Sequence, residues 1–330
     1  MPTRILRAVG LAAFAVVACA FIPVSAGATK PADLRVVDSS GETLTEHTQY
    51  TGKAKIKARA EADCFGDDTG GSDGRATVPG ATALGIVDDA AKWDSDIKPV
   101  LVTDSFDFGL GVCGFGNVVA PQTGYWYLSV NHVAAEVGGD QAKLGRGDSV
   151  LWFLIEDFNE PIPSELVLDA PARTADETVE VRVWEYAPDG TRTPAVGAAV
   201  SGADRVTDSE GRTTVTPLDI TGPLPDPTSR ELQASRSGAI SSNTAEICLS
   251  SDLARCTAKP STTIYGSAKA ETIKGTGGDD KIAAGNGKDV VRSGGGNDTI
   301  DVRKGGKDVV HCSDDDRVKA DGRDQLKGCA

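Results

Sequence analysis

The sequence predicts a mostly β, multidomain protein that ends in a short parallel β-roll, and three observations predict it. From Gly266 a nine-residue phrase recurs as GSAKAETIK, GTGGDDKIA, AGNGKDVVR and SGGGNDTID, then, one residue late, as RKGGKDVVH from Arg303 to His311. Upstream, short apolar or alternating runs are separated by Gly, Asp, Pro and Ser turns, as in successive β units. A helical repeat is read only at Thr82 to Lys92, where Thr82 can cap the helix and Leu84, Val87 and Ala91 share one face.

The chain opens with Arg4 and Arg7, an apolar run from Ala8 to Val24, and the small residues Ser25-Ala26-Gly27-Ala28. This is the pattern of a secretory signal peptide over residues 1–28, cleaved after Ala28 or Ala26, because no stop-transfer charge cluster follows. A rival reading makes Val16-Val17-Ala18-Cys19 a lipoprotein box with Cys19 acylated; the apolar continuation from Ala20 to Val24 argues against it. No later apolar run is long enough to span a bilayer. Loss of Arg4 and Arg7 takes the formal charge from −14 to −16, which speaks against nucleic acid as a partner and suits divalent cations. Ala, Gly, Asp and Arg usage suggests a high-GC bacterial source.

Six cysteines remain after Cys19, and six allow fifteen pairings in an exported chain. Position along the chain favours Cys64–Cys113, Cys248–Cys256 and Cys312–Cys329. None forms a C-x-x-C pair, so metal binding by these thiols is not expected.

Residues 29–163 read as an α+β unit. Leu34 to Val37, Lys53 to Ala58, Leu101 to Phe108, Tyr125 to Val130 and Ser149 to Ile155 read as strands, with a Gly/Asp/Ser loop at Gly66 to Gly74 and a turn at Leu144 to Asp148. The run Tyr125-Trp126-Tyr127-Leu128-Ser129-Val130-Asn131-His132, then Gly138, then Leu144 to Phe153, resembles a domain of unknown function related to the C-terminal β-domain of transcobalamin and intrinsic factor. The resemblance covers roughly residues 97 to 160 and implies a β-grasp-like sheet; His132 stands where that family usually has glycine. It says little about function, because those relatives bind cobalamin through a partner α-domain that has no counterpart in this chain.

Residues 164–249 read as a second β unit. Val179, Val181 and Val183 alternate on one face of the strand from Thr178 to Tyr186, and Asp208 to Gly211 reads as the turn of a hairpin between Arg205–Thr207 and Arg212–Thr216. The stretches Pro194 to Val200 and Thr207 to Arg212 resemble bacterial Ig-like and carboxypeptidase-regulatory-like domains, which implies a β-sandwich spacer. Residues 250–265 read as a linker.

Residues 266–330 are the roll. The apolar slot falls at Ile273, Ile282, Val291, Ile300 and Val310, and the acidic slot at Glu271, Asp280, Asp289, Asp298 and Asp308. Glycine opens each turn by reaching backbone angles that other residues avoid. Turns two repeats apart stack, which sets Asp280 over Asp298 and Asp289 over Asp308. Carboxylates stacked in this way repel unless a cation lies between them, and Ca2+ takes six to eight oxygen ligands in flexible geometry. The candidate ligand positions are Asp280, Asp289, Asp298 and Asp308 with the turn glycines Gly278, Gly287 and Gly296, for roughly one to three ions. Lys269 in place of glycine, and Glu271 in place of aspartate, make the first copy degenerate. The phrase resembles the haemolysin-type (RTX) calcium-binding repeat, which implies Ca2+ as the bound ion. A Cys312–Cys329 bridge would close the open end of the array.

Other chemistry is sparse. His47, His132 and His311 fall in different segments without metal-ligand spacing, and neither a nucleophile elbow nor a phosphate loop occurs. No catalytic activity is expected. Arg146-Gly147-Asp148 matches an integrin tripeptide but reads as an ordinary turn. Tyr125, Trp126 and Tyr127 read as either an aromatic platform or core, and Phe106, Phe108 and Phe115 around a bend at Gly109 to Gly111 read as packing. The expected function is that of a secreted calcium-binding protein, its N-terminal unit a module for a small-molecule, glycan or protein ligand. A purely structural surface or matrix protein, or a secreted hydrolase, are the alternatives.

Overall fold

The computed structural model describes residues 29–64, 69–107, 109–176, 178–216, 227–257 and 259–329. The expected signal peptide, the Cys19 reading, the loop tip at Gly66 and Phe108 lie outside the described residues.

The chain is mostly β. The N-terminal unit runs β1 (Lys30–Val37), β2 (Thr43–Thr51), β3 (Ala54–Lys57), β4 (Arg75–Val78), α1 (Ala83–Ala90), β5 (Val100–Phe106), β6 (Gly109–Phe115), β7 (Val118–Val119), β8 (Tyr125–Val130), β9 (Val133–Ala134) and β10 (Asp148–Ile155). The middle unit contributes β11 (Ser164–Asp169), β12 (Arg173–Thr174), β13 (Val179–Tyr186), β14 (Arg192–Pro194), β15 (Ala199–Val200), β16 (Arg212–Val215), β17 (Thr228–Leu232), β18 (Ala234–Ser235), β19 (Ala239–Ile240) and β20 (Ala245–Leu249). Three-residue strands follow: β21 (Thr263–Tyr265), β22 (Thr272–Lys274), β23 (Lys281–Ala283), β24 (Val290–Arg292), β25 (Thr299–Asp301), β26 (Val309–His311), β27 (Arg317–Lys319) and β28 (Gln325–Lys327).

Helix α1 begins as the sequence predicts. The Thr82 hydroxyl accepts the Gly85 amide at 3.0 Å, meeting one of the amides that a helix start leaves unpaired, and Leu84, Val87 and Ala91 all turn inward. The helix packs on a sheet in which β1 and β10 run parallel at the centre, with β2 antiparallel outside β1 and β8 antiparallel outside β10. Leu34, Val36, Val150, Trp152 and Leu154 share this core with Phe115, whose ring meets Trp126 and Trp152 edge-on at 4.6 and 5.7 Å. The expected bend at Gly109 to Gly111 is instead the start of β6, paired to β5 through Phe106–Gly109 and Thr103–Gly111. A side chain at Gly111 would stand 2.8 Å from the Phe106 ring, which explains glycine in a strand.

The opposite face of the sheet carries the middle unit. Val37, Tyr127, Leu151, Phe153 and Ile155 pack with Ile240, and the buried Arg35 guanidinium joins Glu165 at 2.5 Å and the Ser241 carbonyl at 2.8 Å. His132 holds φ 66°, the left-handed angle that glycine favours, and its ring stacks on Tyr186 at 4.0 Å while Nδ1 lies 2.9 Å from Glu165. The middle unit encloses its own core of Leu166, Leu168, Val181, Val183, Leu232 and Ile247. The turn at Asp208 to Gly211 forms, but Arg205–Thr207 is not a strand: β16 pairs with β13, and Arg205 only accepts the Thr213 hydroxyl at 2.8 Å.

The roll is continuous with the N-terminal sheet. β21, β23, β25 and β27 stack in parallel register and join β2 through Thr48–Ile264 and Gln49–Tyr265, giving one sheet of nine strands in the order β27-β25-β23-β21-β2-β1-β10-β8-β9. β22, β24, β26 and β28 form the facing sheet. Between them lie Ile264, Ile273, Ile282, Val291, Ile300 and Val310, with Tyr50 from β2 closing the near end and its hydroxyl donating to the Thr272 carbonyl at 3.1 Å. Trp93 stacks on Tyr265 at 5.3 Å and donates to the Gly266 carbonyl at 3.0 Å. The sulfurs of Cys64–Cys113, Cys248–Cys256 and Cys312–Cys329 are paired, the arrangement expected from chain position.

Tyr50→Ala therefore removes a side chain of the roll core from a residue of the N-terminal sheet and is expected to destabilise by about 3–5 kcal/mol. Amide-exchange protection should fall together in β2, β21 and β22; loss confined to β1 and β2 would contradict a shared sheet.

Candidate metal centre

The turns of the roll stack in two columns, one on each side. One column carries Glu271, Asp289, Asp308 and Asp324, the other Asp280, Asp298 and Asp316. Each aspartate of the columns reaches across to the coil before it, where Oδ1 accepts a backbone N–H, that of Thr262 for Asp280 and that of the acid above for the others. Asp289 accepts Glu271 at 2.8 Å, Asp308 accepts Asp289 at 2.8 Å and Asp324 accepts Asp308 at 3.0 Å. In the second column Asp280 accepts Thr262 at 2.8 Å, Asp298 accepts Asp280 at 2.8 Å and Asp316 accepts Asp298 at 2.9 Å. The expected stacking of Asp280 over Asp298 and Asp289 over Asp308 is present.

Asp316 and Asp324 are additions to the positions read in the sequence. They were hidden because the spacing of acids falls from nine residues to eight after Asp308. The signal that finds them is local: an acid stands two residues before an apolar rung, as Asp316 before Val318 and Asp324 before Leu326, just as Asp280 precedes Ile282. Ile264 is likewise a rung ahead of the first phrase.

Glycine shapes the turns. Gly285, Gly294 and Gly296 hold φ of 91°, 112° and 100°, left-handed angles that a side chain makes costly. At the three glycines singled out by spacing, coils also approach too closely for a Cβ. One would stand 2.2 Å from the Pro260 carbonyl at Gly278, 2.4 Å from that of Lys269 at Gly287 and 2.4 Å from that of Gly278 at Gly296. The turns thus bring backbone carbonyl oxygens and one carboxylate per coil into the same column.

The acids are out of water. Asp280, Asp289 and Asp298 are 1% exposed and Asp308 is fully buried. Burial pushes the Asp289 and Asp298 carboxyls up to about 6 and Glu271 up to about 7, and raises Asp280 and Asp308 above the ordinary range. Neighbouring acids add to the rise at Asp289, from Asp308, and at Asp298, from Asp316 and Asp280. The second carboxylate oxygens of Asp289, Asp298 and Asp308 are buried without a hydrogen-bond partner. Such groups cost several kcal/mol unless a charge or donor meets them. Among the described residues no three His, Cys, Asp or Glu side chains converge on one point. A cation held there would take one or two carboxylates and fill its shell from turn carbonyls, a donor set of hard oxygens that suits calcium.

The remaining sequence candidates do not assemble into a site. Trp126 lies in the helix-side core and Tyr127 on the opposite face under the middle unit, so the three aromatics form no open platform. In Arg146-Gly147-Asp148 the Asp148 carboxylate accepts the Gly145 amide at 2.6 Å, the bond of a turn, while Gly147 donating to the Pro31 carbonyl at 2.8 Å and Asn131 donating to Asp148 at 3.0 Å tie that turn to β1 and to the end of β8. His47 on β2 and His132 after β8 line one cavity together with Arg35, Glu46 and Glu165, whereas His311, on β26, is not part of its lining.

Residues 265–300 match the family of the RTX calcium-binding nonapeptide repeat (four copies), so this chain carries calcium-binding repeats within its roll. Comparison with curated proteins and with solved structures finds no match.

Two outcomes follow from this geometry. Carboxyls whose folded pKa lies above the unfolded value stabilise the calcium-free roll at low pH and cease to do so as pH rises through about 6. In chelator, amide exchange of residues 281–311, corrected for intrinsic rates, should be slower at pH 5 than at pH 7.5; the reverse order would contradict the burial of these acids. Gly296→Ala forces a side chain into a left-handed position against a carbonyl and should destabilise by about 1–3 kcal/mol, read as a lower denaturation midpoint with the N-terminal core unaffected.

Proposed function

We propose that this is an exported, non-enzymatic calcium-binding protein whose roll is ordered by calcium outside the cell. The observation that carries the reading is the set of buried, unpartnered carboxylate oxygens at Asp289, Asp298 and Asp308, inside repeats that match a calcium-binding family. The ligand positions are drawn from Asp280, Asp289, Asp298 and Asp308, with carbonyls of the turns built on Gly278, Gly287 and Gly296. Calcium would supply the positive charge and coordination that these oxygens lack. Without it the columns keep buried acids that must take up protons or open to water, so binding free energy becomes folding free energy. Export is supported by the charged and apolar N-terminal pattern and by three paired sets of cysteines, which persist in oxidising compartments. Residues 29–163 are read as a transcobalamin-like binding unit for a small-molecule, glycan or protein ligand, and residues 164–249 as an Ig-like spacer.

A second reading, a structural surface protein in which every unit is scaffold, is favoured by the shared nine-stranded sheet and by the buried Arg35–Glu165 pair between units. A ligand-specific thermal shift of the full chain separates it from the first.

Calcium titration of the full chain tests the common claim. Stability should rise with calcium over the roughly 0.1–1 mM range of extracellular modules, with magnesium much less effective because it demands tighter geometry. An unchanged melting curve in excess calcium would refute it.

A further inference from the structure

Each acid in the two columns has two oxygens, and in the aspartates the amide of the preceding coil engages only one. What meets the other differs along the roll. Ser267, four residues before Glu271, gives that carboxyl both its amide, at 3.1 Å, and its hydroxyl. Thr276, four residues before Asp280, does the same, with its amide at 2.6 Å from Oδ2 and its hydroxyl 3.0 Å from Oδ1. At the far end Asp316 Oδ2 accepts the Ser313 amide and the Ser293 hydroxyl, both at 2.8 Å, and Asp324 Oδ2 accepts the Asp321 amide at 2.8 Å. The three acids between have no such clasp on Oδ2, although the Ser293 hydroxyl, which donates to Asp316, also acts on the Asp298 carboxyl. Gly285 and Gly294 stand four residues before Asp289 and Asp298, in left-handed conformations and without a hydroxyl, and Lys304 holds that place before Asp308. Their Oδ2 atoms alone among the described carboxylates of the columns are buried and unmet.

We propose that the cation sites of this roll lie only in its central turns, at Asp289, Asp298 and Asp308, and that hydroxyl and amide clasps close the first and last turns without an ion. The proposal rests on the calcium reading of the roll and removes Asp280 from its ligands. It divides the roll in two. The near end is seated on the N-terminal sheet by Trp93 on the Gly266 carbonyl, Lys269 on the Lys53 carbonyl at 2.6 Å and Tyr50 on the Thr272 carbonyl, and it stands without calcium. The turns beyond Gly285 depend on the ion.

Ion counting on the full chain, by calorimetry against free calcium, decides the matter. Asp289→Asn and Asp298→Asn should each bind fewer ions than the parent, whereas Asp280→Asn should bind the same number. Thr276→Gly removes only the hydroxyl of the Asp280 clasp, leaves the backbone amide on Oδ2, and should bind the same number of ions. In calcium-free protein, amide exchange should leave residues 263–274 protected and expose residues 290–311. Equal loss of ions from Asp280→Asn and Asp298→Asn would overturn the assignment while leaving calcium binding in place. No calcium uptake by the parent chain would overturn both.

Discussion

The roll depends on one repeated contact: a buried carboxylate that accepts the backbone amide of the acid one coil earlier. That bond sets the register of both parallel sheets, because it fixes each turn over its neighbour while the rung two residues later enters the core. It also explains why the acid is obligatory at a position with almost no exposure. An apolar residue there would leave a buried amide unmet, and a neutral one would lose the charge-assisted bond. The same contact creates the unmet need, since each carboxylate brings a second oxygen into a dry turn. Where Ser or Thr precedes by four residues the chain supplies the donor itself. Where glycine or lysine does, it supplies none, and a hard cation is the group that fits.

A stack of three-residue strands cannot stand alone, for its ends expose unpaired backbone and its rungs share one thin core. This chain closes the two ends differently. At the near end β2 donates a strand edge and Tyr50 fills the opening, so the roll grows from a folded sheet. At the far end Cys312 and Cys329, which flank β26 and β28, tie adjacent coils together. The unit is therefore anchored on one side and stapled on the other, with its unsatisfied acids in between.

Much of this was legible in the sequence wherever one side chain decided the local structure. The rungs Ile273 to Val310 keep phase because each must enter the same core, and Thr82 marks a helix start because its hydroxyl meets an amide. β2 was not legible: Thr43-Leu44-Thr45-Glu46-His47-Thr48-Gln49-Tyr50-Thr51 is largely polar, with only Leu44 and Tyr50 apolar, because it is buried between β1 and β21 on its edges and beneath helix α1. Asp316 and Asp324 were missed because eight-residue coils break the nine-residue phase. Thr276 was missed because the family phrase reads its slot as glycine, and only the geometry shows that its amide and hydroxyl meet the Asp280 carboxylate. His132 keeps a glycine-like conformation because Glu165 and Tyr186 hold its ring, contacts made across units that no local pattern reveals.

The central claim is that the second oxygens of Asp289, Asp298 and Asp308 are completed by calcium. A crystal structure of the full chain grown with calcium, with anomalous difference density measured, tests it most directly. The account predicts peaks in the central turns, about 2.3–2.6 Å from those oxygens and from turn carbonyls, and none at Asp280. Central turns without a peak, or closed by protein donors in place of an ion, would contradict it.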